Sequence, residues 1–278
     1  MVEHSSTPPI EGMASQRQPS FYQQFSELPL WLFAIFFIIL AFIFVVLIPD
    51  PEYVQAFLFI KDGVQITIFT SLLAYLIAVI IGLLVGLGRI SGNFIIRNLA
   101  TLYVEIIRGI PMLVLIFYIA LVGVPAVVDL LNAWGLIALE NKDVPLLARA
   151  IAALSVTYGA FLAEIFRAGI QSISRGQMEA ARSLGMSYPQ AMLYVILPQA
   201  IRNILPALGN DFVAMVKDSS LVSVLAVRDI TQIARLYAGR TFRFREAYTT
   251  IAVMYLALTV ILSLLVTLLE RRLRADEH

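Results

Sequence analysis

The sequence predicts an all-α membrane protein with six transmembrane helices. Of its 278 residues, 60% are hydrophobic and 14% are charged. Most of the hydrophobic residues lie in blocks of about 20, the length that an α-helix needs to cross the hydrocarbon core of a bilayer. A chain with this composition does not fold as a soluble globule. The six blocks cover residues 30–48, 64–87, 101–122, 146–165, 204–227 and 248–268.

The first and fifth blocks differ from the other four. The first follows residues 1–29, which are rich in Ser, Pro and Gln and are predicted to form a disordered tail without a cleavable signal. The fifth is interrupted by Pro206, Gly209 and Asp211, so a broken helix is expected there. No internal repeat divides the blocks, which therefore form a single membrane domain.

The composition also excludes several functions. The chain has no cysteine, and its only histidines are His4 and His278, so neither thiol chemistry nor a histidine metal site is expected. The net charge of +1 gives no reason to expect a nucleic-acid partner. No Gly-rich, Lys-containing phosphate loop and no nucleophile elbow is present, so we expect no catalytic residue, no metal and no bound cofactor. Catalysis by carboxylates alone stays open.

The positions of the arginines predict the orientation in the membrane. Basic loops tend to be cytoplasmic, and arginines occur in the second and fourth loops and after the last block. They are Arg89, Arg97, Arg175, Arg182, Arg271, Arg272 and Arg274. Because six spans place both ends on one side, both termini are expected in the cytoplasm.

One loop does not fit this orientation. Residues 228–246 should be extracytoplasmic, yet they contain five arginines, Arg228, Arg235, Arg240, Arg243 and Arg245. One interpretation is a solvated helix with a basic face. The other is a docking face for an extracytoplasmic partner.

Residues 174–198, SRGQMEAARSLGMSYPQAMLYVILP, form a long polar interruption between the fourth and fifth blocks. Ser174 and Gln177 have the spacing of a capping box, and Gly185 has the position of a helix stop. A second helix is expected from about residue 188 until Pro198. Ala180 and Ala181 leave the first helix with a smooth face, which fits either a groove on a partner protein or the headgroup region of the membrane.

This segment resembles the EAA loop of permease subunits of ABC importers. The matching residues are Glu179, Ala180, Ala181, Gly185, Val195, Leu197 and Pro198, with Val195 where isoleucine is commoner in the family. The resemblance implies that the loop is a coupling helix that contacts an ATPase subunit. The residues that it assigns to this contact are Glu179, Ala180, Ala181, Arg182 and Gly185.

Four more segments resemble the branch of these permeases that transports polar amino acids. They are GVQITIFTSLLAYLIAVIIGLLVGLGR from Gly63, YVEIIRGIPMLVLIFYIAL from Tyr103, YGAFLAEIFRAGIQSI from Tyr158 and MVKDSSLVSVLAVRDI from Met215. The resemblance implies a five-helix type I permease core at residues 61–270, which contains the coupling loop at 174–198. Residues 30–48 are then an added N-terminal helix, and residues 271–278 are a cytoplasmic tail.

The resemblance also implies the partners. These would be a dimer of ATPase subunits that binds ATP and magnesium, a second permease subunit, an extracytoplasmic solute-binding protein and the lipids of a bacterial inner membrane. The second permease could be an identical copy or a paralogue. The substrate would be a polar amino acid. The acidic Asp211 in the fifth block favours basic or neutral polar substrates over acidic ones.

Charged residues in or near the spans are candidate functional residues, because an unpaired charge in lipid is costly. Glu105 and Arg108 are three residues apart, so they could simply pair or could lie at an inner gate; Glu164 and Arg167 have the same spacing. Asp211 lies inside the fifth block and could contact the ammonium group of a substrate or could pair with Lys217. Further candidates for the substrate path are Lys217, Ser219, Ser220, Tyr158 and Ser155. Gly82, Gly86 and Gly88 are predicted to serve close helix packing.

Two other functions are compatible with parts of the sequence. An ion-coupled secondary carrier or channel subunit would also have polar residues in its spans, but it would not need an EAA loop. An intramembrane enzyme would need paired acidic residues at matching depth in two helices, and Asp211 is the mid-depth acid in the sequence.

Overall fold

The computed structural model describes residues 30–43 and 50–275, with side chains for residues 33–43 and 50–270. These residues form twelve α-helices. Their bounds are α1 Leu30–Phe42, α2 Pro51–Ile60, α3 Gly63–Arg89, α4 Phe94–Gly109, α5 Met112–Tyr118, α6 Val124–Ala133, α7 Leu146–Gln171, α8 Arg175–Ser183, α9 Tyr188–Ala191, α10 Leu197–Asp218, α11 Ile230–Thr241 and α12 Phe244–Ala275. Single π-turns join α5 to α6 and α9 to α10, and a 3₁₀-helix, Ser219–Leu225, follows α10.

Helices α3 and α7 form the centre of the bundle and run parallel to each other. The hydroxyl of Ser155 donates to the carbonyl of Ala74 at 3.2 Å. About two turns further along both helices, a Cβ on Gly82 would lie 2.6 Å from the Cβ of Leu162. A Cβ on Gly86 would lie 2.8 Å from the Cβ of Phe166. Small residues therefore let the two backbones approach, which confirms the predicted packing role of Gly82 and Gly86.

Gly88 also serves close packing, but against another helix. A Cβ on Gly88 would lie 3.2 Å from the Cβ of Ala100 in α4. The end of α3 is thus packed between α7 on one side and α4 on the other.

Five helical stretches of the described chain are long and apolar enough to cross a membrane. They are Pro51–Arg89, Met112–Ala133, Leu146–Gln171, Tyr188–Leu225 and Phe244–Glu270. Three of them contain a predicted block, and the block at 204–227 overlaps Tyr188–Leu225 up to its last two residues. The break expected in this block at Pro206, Gly209 and Asp211 is absent, because α10 continues from Leu197 to Asp218 with Pro206 inside it. The remaining apolar helix, Phe33–Phe42, is shorter, and residues 44–49 lie outside the described residues. The predicted first span at residues 30–48 therefore stays a prediction.

The prediction of a single span at residues 101–122 was wrong. The chain forms helix α4, breaks at Ile110, and starts a new spanning stretch at Met112. Pro111 causes the break, because it disfavours the helical conformation of the preceding residue, and Ile110 is extended at φ −105° and ψ 137°. The apolar residues on both sides of this break had made it look like one continuous span.

The prediction that Pro198 ends a short helix was also wrong. Helices α9 and α10 are joined by the π-turn Met192–Ile196, and the helical path continues through Pro198. Proline has no N–H, and its ring clashes with the carbonyl four residues earlier in a regular α-helix. The wider π-turn, in which the N–H of Leu197 bonds to the carbonyl of Met192, relieves this conflict.

The two ends of helix α3 contact different parts of the chain, and these contacts distinguish the two ends of the bundle. The first residue of α3, Gly63, is so close to α11 that a Cβ there would lie 2.7 Å from the backbone of Ile230. The last residue of α3, Arg89, pairs with Glu164 near the end of α7. We call these the α11 end and the loop end. The arginine-rich segment 228–246 thus lies at the α11 end, beside the acidic segment at 50–62.

Helix α11 is held in the bundle by a buried hydrophobic core. Its residues Ile230, Ala234, Tyr237 and Ala238 share a buried core with α2 and α12. Its N-cap is Asp229, which is fully buried and accepts a hydrogen bond from the N–H of Gln232 at 2.8 Å. Burial raises the pKa of the Asp229 carboxyl to about 6, although hydrogen bonds from the backbone act to lower it.

The predicted tails lie mostly outside the described residues. Nothing described tests the disordered tail at residues 1–29. Helix α12 continues to Ala275, which is inside the segment predicted as a C-terminal tail, 271–278. Residues 276–278 lie outside the description.

Candidate coupling loop and translocation path

Helix α8 is a discrete helix with a well-defined C-terminus. Gly185 follows it with φ +85°, in the left-handed region that only glycine adopts freely. The N–H of Gly185 bonds to the carbonyl of Arg182, and the N–H of Met186 bonds to the carbonyl of Ala181. This pair of bonds is a Schellman motif. The predicted stop at Gly185 is confirmed.

The N-terminus of α8 differs from the prediction. Ser174 is the N-cap residue, as predicted, but its side chain makes no capping bond. The capping box forms thirteen residues later, where Ser187 and Gln190 exchange bonds at the start of α9. Both pairs have the same spacing, so the sequence pattern did not tell which one forms.

Helix α8 presents most of its surface to the outside. Of its nine residues, Ala181 is the buried one, at 4% exposure. Glu179, Ala180, Arg182 and Gly185 are exposed, and Leu184 just after the helix is 83% exposed. Four of the five predicted coupling residues thus lie on the accessible side, and Ala181 lies on the side that packs on the chain. Their contact with an ATPase stays a prediction.

The loop is attached to the bundle through its inner side. Met178 of α8 and Met192 and Val195 of the π-turn pack against the central hydrophobic core. The amide of Asn203 in α10 donates to the hydroxyl of Ser172, just after α7, at 3.0 Å. The loop therefore packs on the core of the bundle, and α10 is bonded to the end of α7 beside it.

A cluster of charged side chains lies at the loop end. Glu164 forms ion pairs with Arg89 and with Arg167, so the predicted pair of Glu164 and Arg167 is present. Arg89 also lies 3.7 Å from Glu105. The predicted pairing of Glu105 with Arg108 was wrong, because the close packing of α3 on α4 brings Arg89 to Glu105 instead. The guanidinium of Arg108 lies 5.7 Å from the ring centroid of Phe161.

Acidic and phenolic side chains come together in the spanning part. The hydroxyl of Tyr158 in α7 donates to the carboxylate of Asp218 at 2.7 Å. The hydroxyl of Tyr75 in α3 donates to the carbonyl of Leu208 in α10. Asp211 is half-buried and lies seven residues before Asp218 on α10, so the two carboxylates lie on the same face of that helix.

The predicted path residues fall into two groups. Ser155 and Ser219 are buried, and their hydroxyls donate to the backbone carbonyls of Ile151 and Ala74 and of Val216, respectively. Ser220 is half-buried and Lys217 is exposed. Among the described residues, no ion pair joins Asp211 to Lys217, so the predicted alternative of a buried pair was wrong.

Sequence reasoning missed three residues at these sites. Asp218 and Tyr75 each find a partner on another helix, 60 and 133 residues away in the chain. Arg89 was used only to predict orientation, although it bridges α4 and α7. Asp218 had a signal in the sequence, since it shares a helix face with Asp211. No local sequence pattern marks Tyr75 or Arg89, because their partners depend on how the helices are aligned with each other.

Comparison with known proteins decides the family. Residues 78–275 match the model of the family described as binding-protein-dependent transport system inner membrane component. The chain belongs to this family. The matched region contains the coupling loop, the charged cluster at the loop end and both carboxylates of α10, and it begins after α1 and α2.

Curated members of the permease family are similar over most of the chain. The probable glutamine ABC transporter permease protein GlnM of Bacillus subtilis is 40% identical over 214 residues, which are 76% of this chain and 92% of that protein. The glutamine transport system permease protein GlnP of Escherichia coli is 33% identical over 213 residues, 77% of this chain and 92% of that protein.

Solved structures of permeases share the fold. A crystal structure of an amino acid ABC transporter with histidines matches with a TM-score of 0.68 at 40% identity, covering 79% of this chain and 96% of the other. An inward-facing structure of the MetNI methionine ABC transporter matches with a TM-score of 0.61. At 21% identity, this second likeness concerns the fold alone.

Proposed function

We propose that this chain is the permease subunit of an ATP-driven importer of polar amino acids, with basic or neutral polar ones favoured. The observation that carries the proposal is the shape of the coupling loop, a short helix attached on one side to the bundle and exposed on the other. The relatives support the substrate class, since their names specify glutamine and, for a further relative, glutamate and aspartate.

The proposal assigns the energy source to a partner. A dimer of ATPase subunits, which binds ATP and magnesium, receives helix α8 in a groove. The exposed Glu179, Ala180 and Arg182 face this groove, while buried Ala181 and half-buried Met178 hold the helix to the permease. Exposed alanine leaves the helix surface smooth, so that another surface can approach its backbone.

The other parts of the assembly follow from the same proposal. A second permease subunit, identical or paralogous, completes the translocation path, and a solute-binding protein delivers the substrate at the α11 end. The chain lies in the bacterial inner membrane with both termini in the cytoplasm. The loop end then faces the cytoplasm, where the ATPase works.

The carboxylates of α10 support the preference for substrates with a positive group. Asp211 and Asp218 lie on one face of α10 within a spanning stretch, with the phenols of Tyr75 and Tyr158 nearby. Carboxylates in the interior of a membrane protein are functional candidates because their burial is costly. They would meet the ammonium of every amino acid and the side chain of a basic one.

The test is to reconstitute the chain with its cognate ATPase and binding protein in lipid vesicles and to measure ATP hydrolysis and amino acid uptake. Amino acid delivered by the binding protein is expected to stimulate both. Uptake driven by an ion gradient in the absence of the ATPase would instead show an ion-coupled carrier.

Variants at the coupling loop sharpen this test. Gly185→Val should lose most of the stimulation, up to about tenfold, since a β-branched residue in the left-handed region costs about 1–2 kcal/mol. The matched control is Gly185→Asn, because asparagine tolerates this conformation and the space around Gly185 is open. Glu179→Gln should also uncouple hydrolysis from uptake while the protein inserts normally. Wild-type coupling in both Gly185→Val and Glu179→Gln would remove the coupling assignment.

A further inference from the structure

A cavity of about 500 Å³ lies at the loop end, between the coupling loop and the bundle. Its walls come from the end of α3 and the turn after it, the first turn of α4, the end of α7, and both sides of the coupling loop. The lining residues are Arg89, Ile90, Ser91, Arg97, Ile170, Gln171, Arg175, Tyr188 and Met192. None of the residues proposed for the substrate path is among them.

The cavity is strongly basic. Three of its lining residues are arginines from three separate segments, and no carboxylate of the described chain lines it. Arg89 is balanced by Glu164 and Glu105. Arg97 and Arg175 are exposed, and neither guanidinium makes a hydrogen bond or ion pair with another described residue. Two positive charges therefore face the cavity without compensation, and the hydroxyls of Ser91 and Tyr188 add two donors.

We propose that this cavity binds the phosphate group of an anionic phospholipid. Arginine is suited to this task because its planar guanidinium can donate two parallel hydrogen bonds to phosphate oxygens. Two or three such groups converging from different segments can surround a single phosphodiester. Basic residues near an anionic lipid surface are attracted to it.

The apolar part of the cavity favours a lipid over a free phosphate ion. Ile90, Ile170 and Met192 line the same space as the arginines. Helix α4, which carries Arg97, also exposes large apolar side chains, with Phe94 at 69% and Ile95 at 66% exposure. A basic pocket beside exposed apolar residues at the ends of spanning helices is the arrangement expected at the level of lipid headgroups.

A lipid in this position would connect two separate segments of the chain. Arg97 belongs to α4, whereas Arg175 begins helix α8 of the coupling loop. One phosphate held by both would join the coupling loop to α4, in addition to the contact between Asn203 and Ser172 that joins α10 to the end of α7. Anionic lipid would thereby stiffen the connection through which α8 acts.

The experiment measures lipid binding directly, so that its result does not depend on the transported substrate. The purified full chain in neutral detergent is titrated with dioctanoyl phosphatidylglycerol, with dioctanoyl phosphatidylcholine, or with sodium phosphate, and its thermal unfolding is followed. The target variant is Arg97→Gln/Arg175→Gln. The matched control is Arg235→Gln/Arg240→Gln, which removes two exposed arginines of α11 at the other end.

Phosphatidylglycerol is expected to raise the Tm of the wild type at concentrations where phosphatidylcholine has no effect. The target variant should bind it about tenfold more weakly or worse, since it lacks the charge-assisted hydrogen bonds of both arginines. The control should bind it as the wild type does. Equal weakening in both double variants, or no response of the wild type, would overturn the proposal. An equal response to sodium phosphate would replace the lipid by a free anion and overturn the lipid assignment.

Discussion

Helices α8 and α11 are both short and carry arginines, and they lie at opposite ends of the bundle. They differ in how many of their residues are buried by the rest of the chain. Helix α11 buries Ile230, Gln232, Ala234, Tyr237 and Ala238 among its twelve residues. Helix α8 buries only Ala181 among its nine. Isolated helices of this length are marginal in water, so each must be held by contacts. The contacts of α11 come from its own chain, whereas α8 leaves most of its surface for another molecule.

This difference separates two kinds of mutation. Changes at the α11 end should affect stability, because packing there is complete within the chain. Changes on the outer face of α8 should affect coupling and leave stability nearly unaltered. Three substitutions at the α11 end test the effect on stability, and Glu179→Gln tests the effect on coupling.

The largest effect is expected for Gly63→Val. A Cβ on Gly63 would lie 2.7 Å from the backbone of Ile230, which cannot move without displacing α11. We expect the free energy of unfolding to fall by more than about 3 kcal/mol, at the upper end of the range for overpacking. Thermal unfolding in detergent measures it. The matched control is Gly239→Ala in α11, where nothing lies within 4 Å and the change should be neutral or stabilising. Equal damage from both would mean that α11 is not tightly packed on α3.

A smaller, pH-dependent effect is expected for Asp229→Asn. Burial raises the pKa of the Asp229 carboxyl to about 6 from an ordinary value of 3.8. As the pH rises above 4, the unfolded chain releases this proton first, so the wild type loses stability until the pH passes 6. The asparagine variant does not titrate. The Tm of the variant should therefore rise relative to that of the wild type between pH 4 and 7. The change corresponds to roughly 3 kcal/mol of unfolding free energy at most.

The control for this pH dependence is Asp62→Asn, which changes an exposed acidic residue at the same end. Its Tm should run parallel to that of the wild type over the same pH range. A parallel course for Asp229→Asn as well would contradict the burial of a titrating carboxylate beneath α11.

The smallest effect is expected for Arg243→Gln. Its guanidinium lies 2.9 Å from the carboxylate of Glu52, but both side chains are partly exposed, at 33% and 44%. Exposed ion pairs stabilise a protein only weakly and are screened by salt. The Tm difference from the wild type should be small at low salt and should vanish in about 1 M salt. A large, salt-independent loss would show that Arg243 contributes more than an exposed ion pair to stability.

Much of the fold could be predicted because it depends on local composition. The blocks at 64–87, 146–165 and 248–268 each lie inside a spanning helix, since length and hydropathy suffice to identify a helix that can cross a membrane. The stop at Gly185 was predictable for a similar reason, because a left-handed residue after a helix favours glycine wherever it occurs.

The errors arose where local composition is ambiguous. Hydropathy did not separate α4 from the span that begins at Met112, and Pro111 was the only local sign of the break. Partners across the bundle could not be predicted at all. Arg89 pairs with Glu105 and Glu164 because α3 packs on α4 and α7 at once, and Tyr158 reaches Asp218 because α7 and α10 are in a particular register. These depend on tertiary packing, which a single sequence does not reveal.

The π-turn at Met192–Ile196 accommodates one extra residue in the helical path from the coupling loop to α10. It contains one residue more per turn than an α-helix, and it lies between the coupling loop and α10. One residue of an α-helix corresponds to roughly 100° of rotation and about 1.5 Å of travel along the axis. If the π-turn were converted to an α-turn, all of α10 would therefore rotate in one step. The face that carries Asp211 and Asp218 would turn towards other neighbours, so a small movement at the loop would change which side chains line the interior of the bundle.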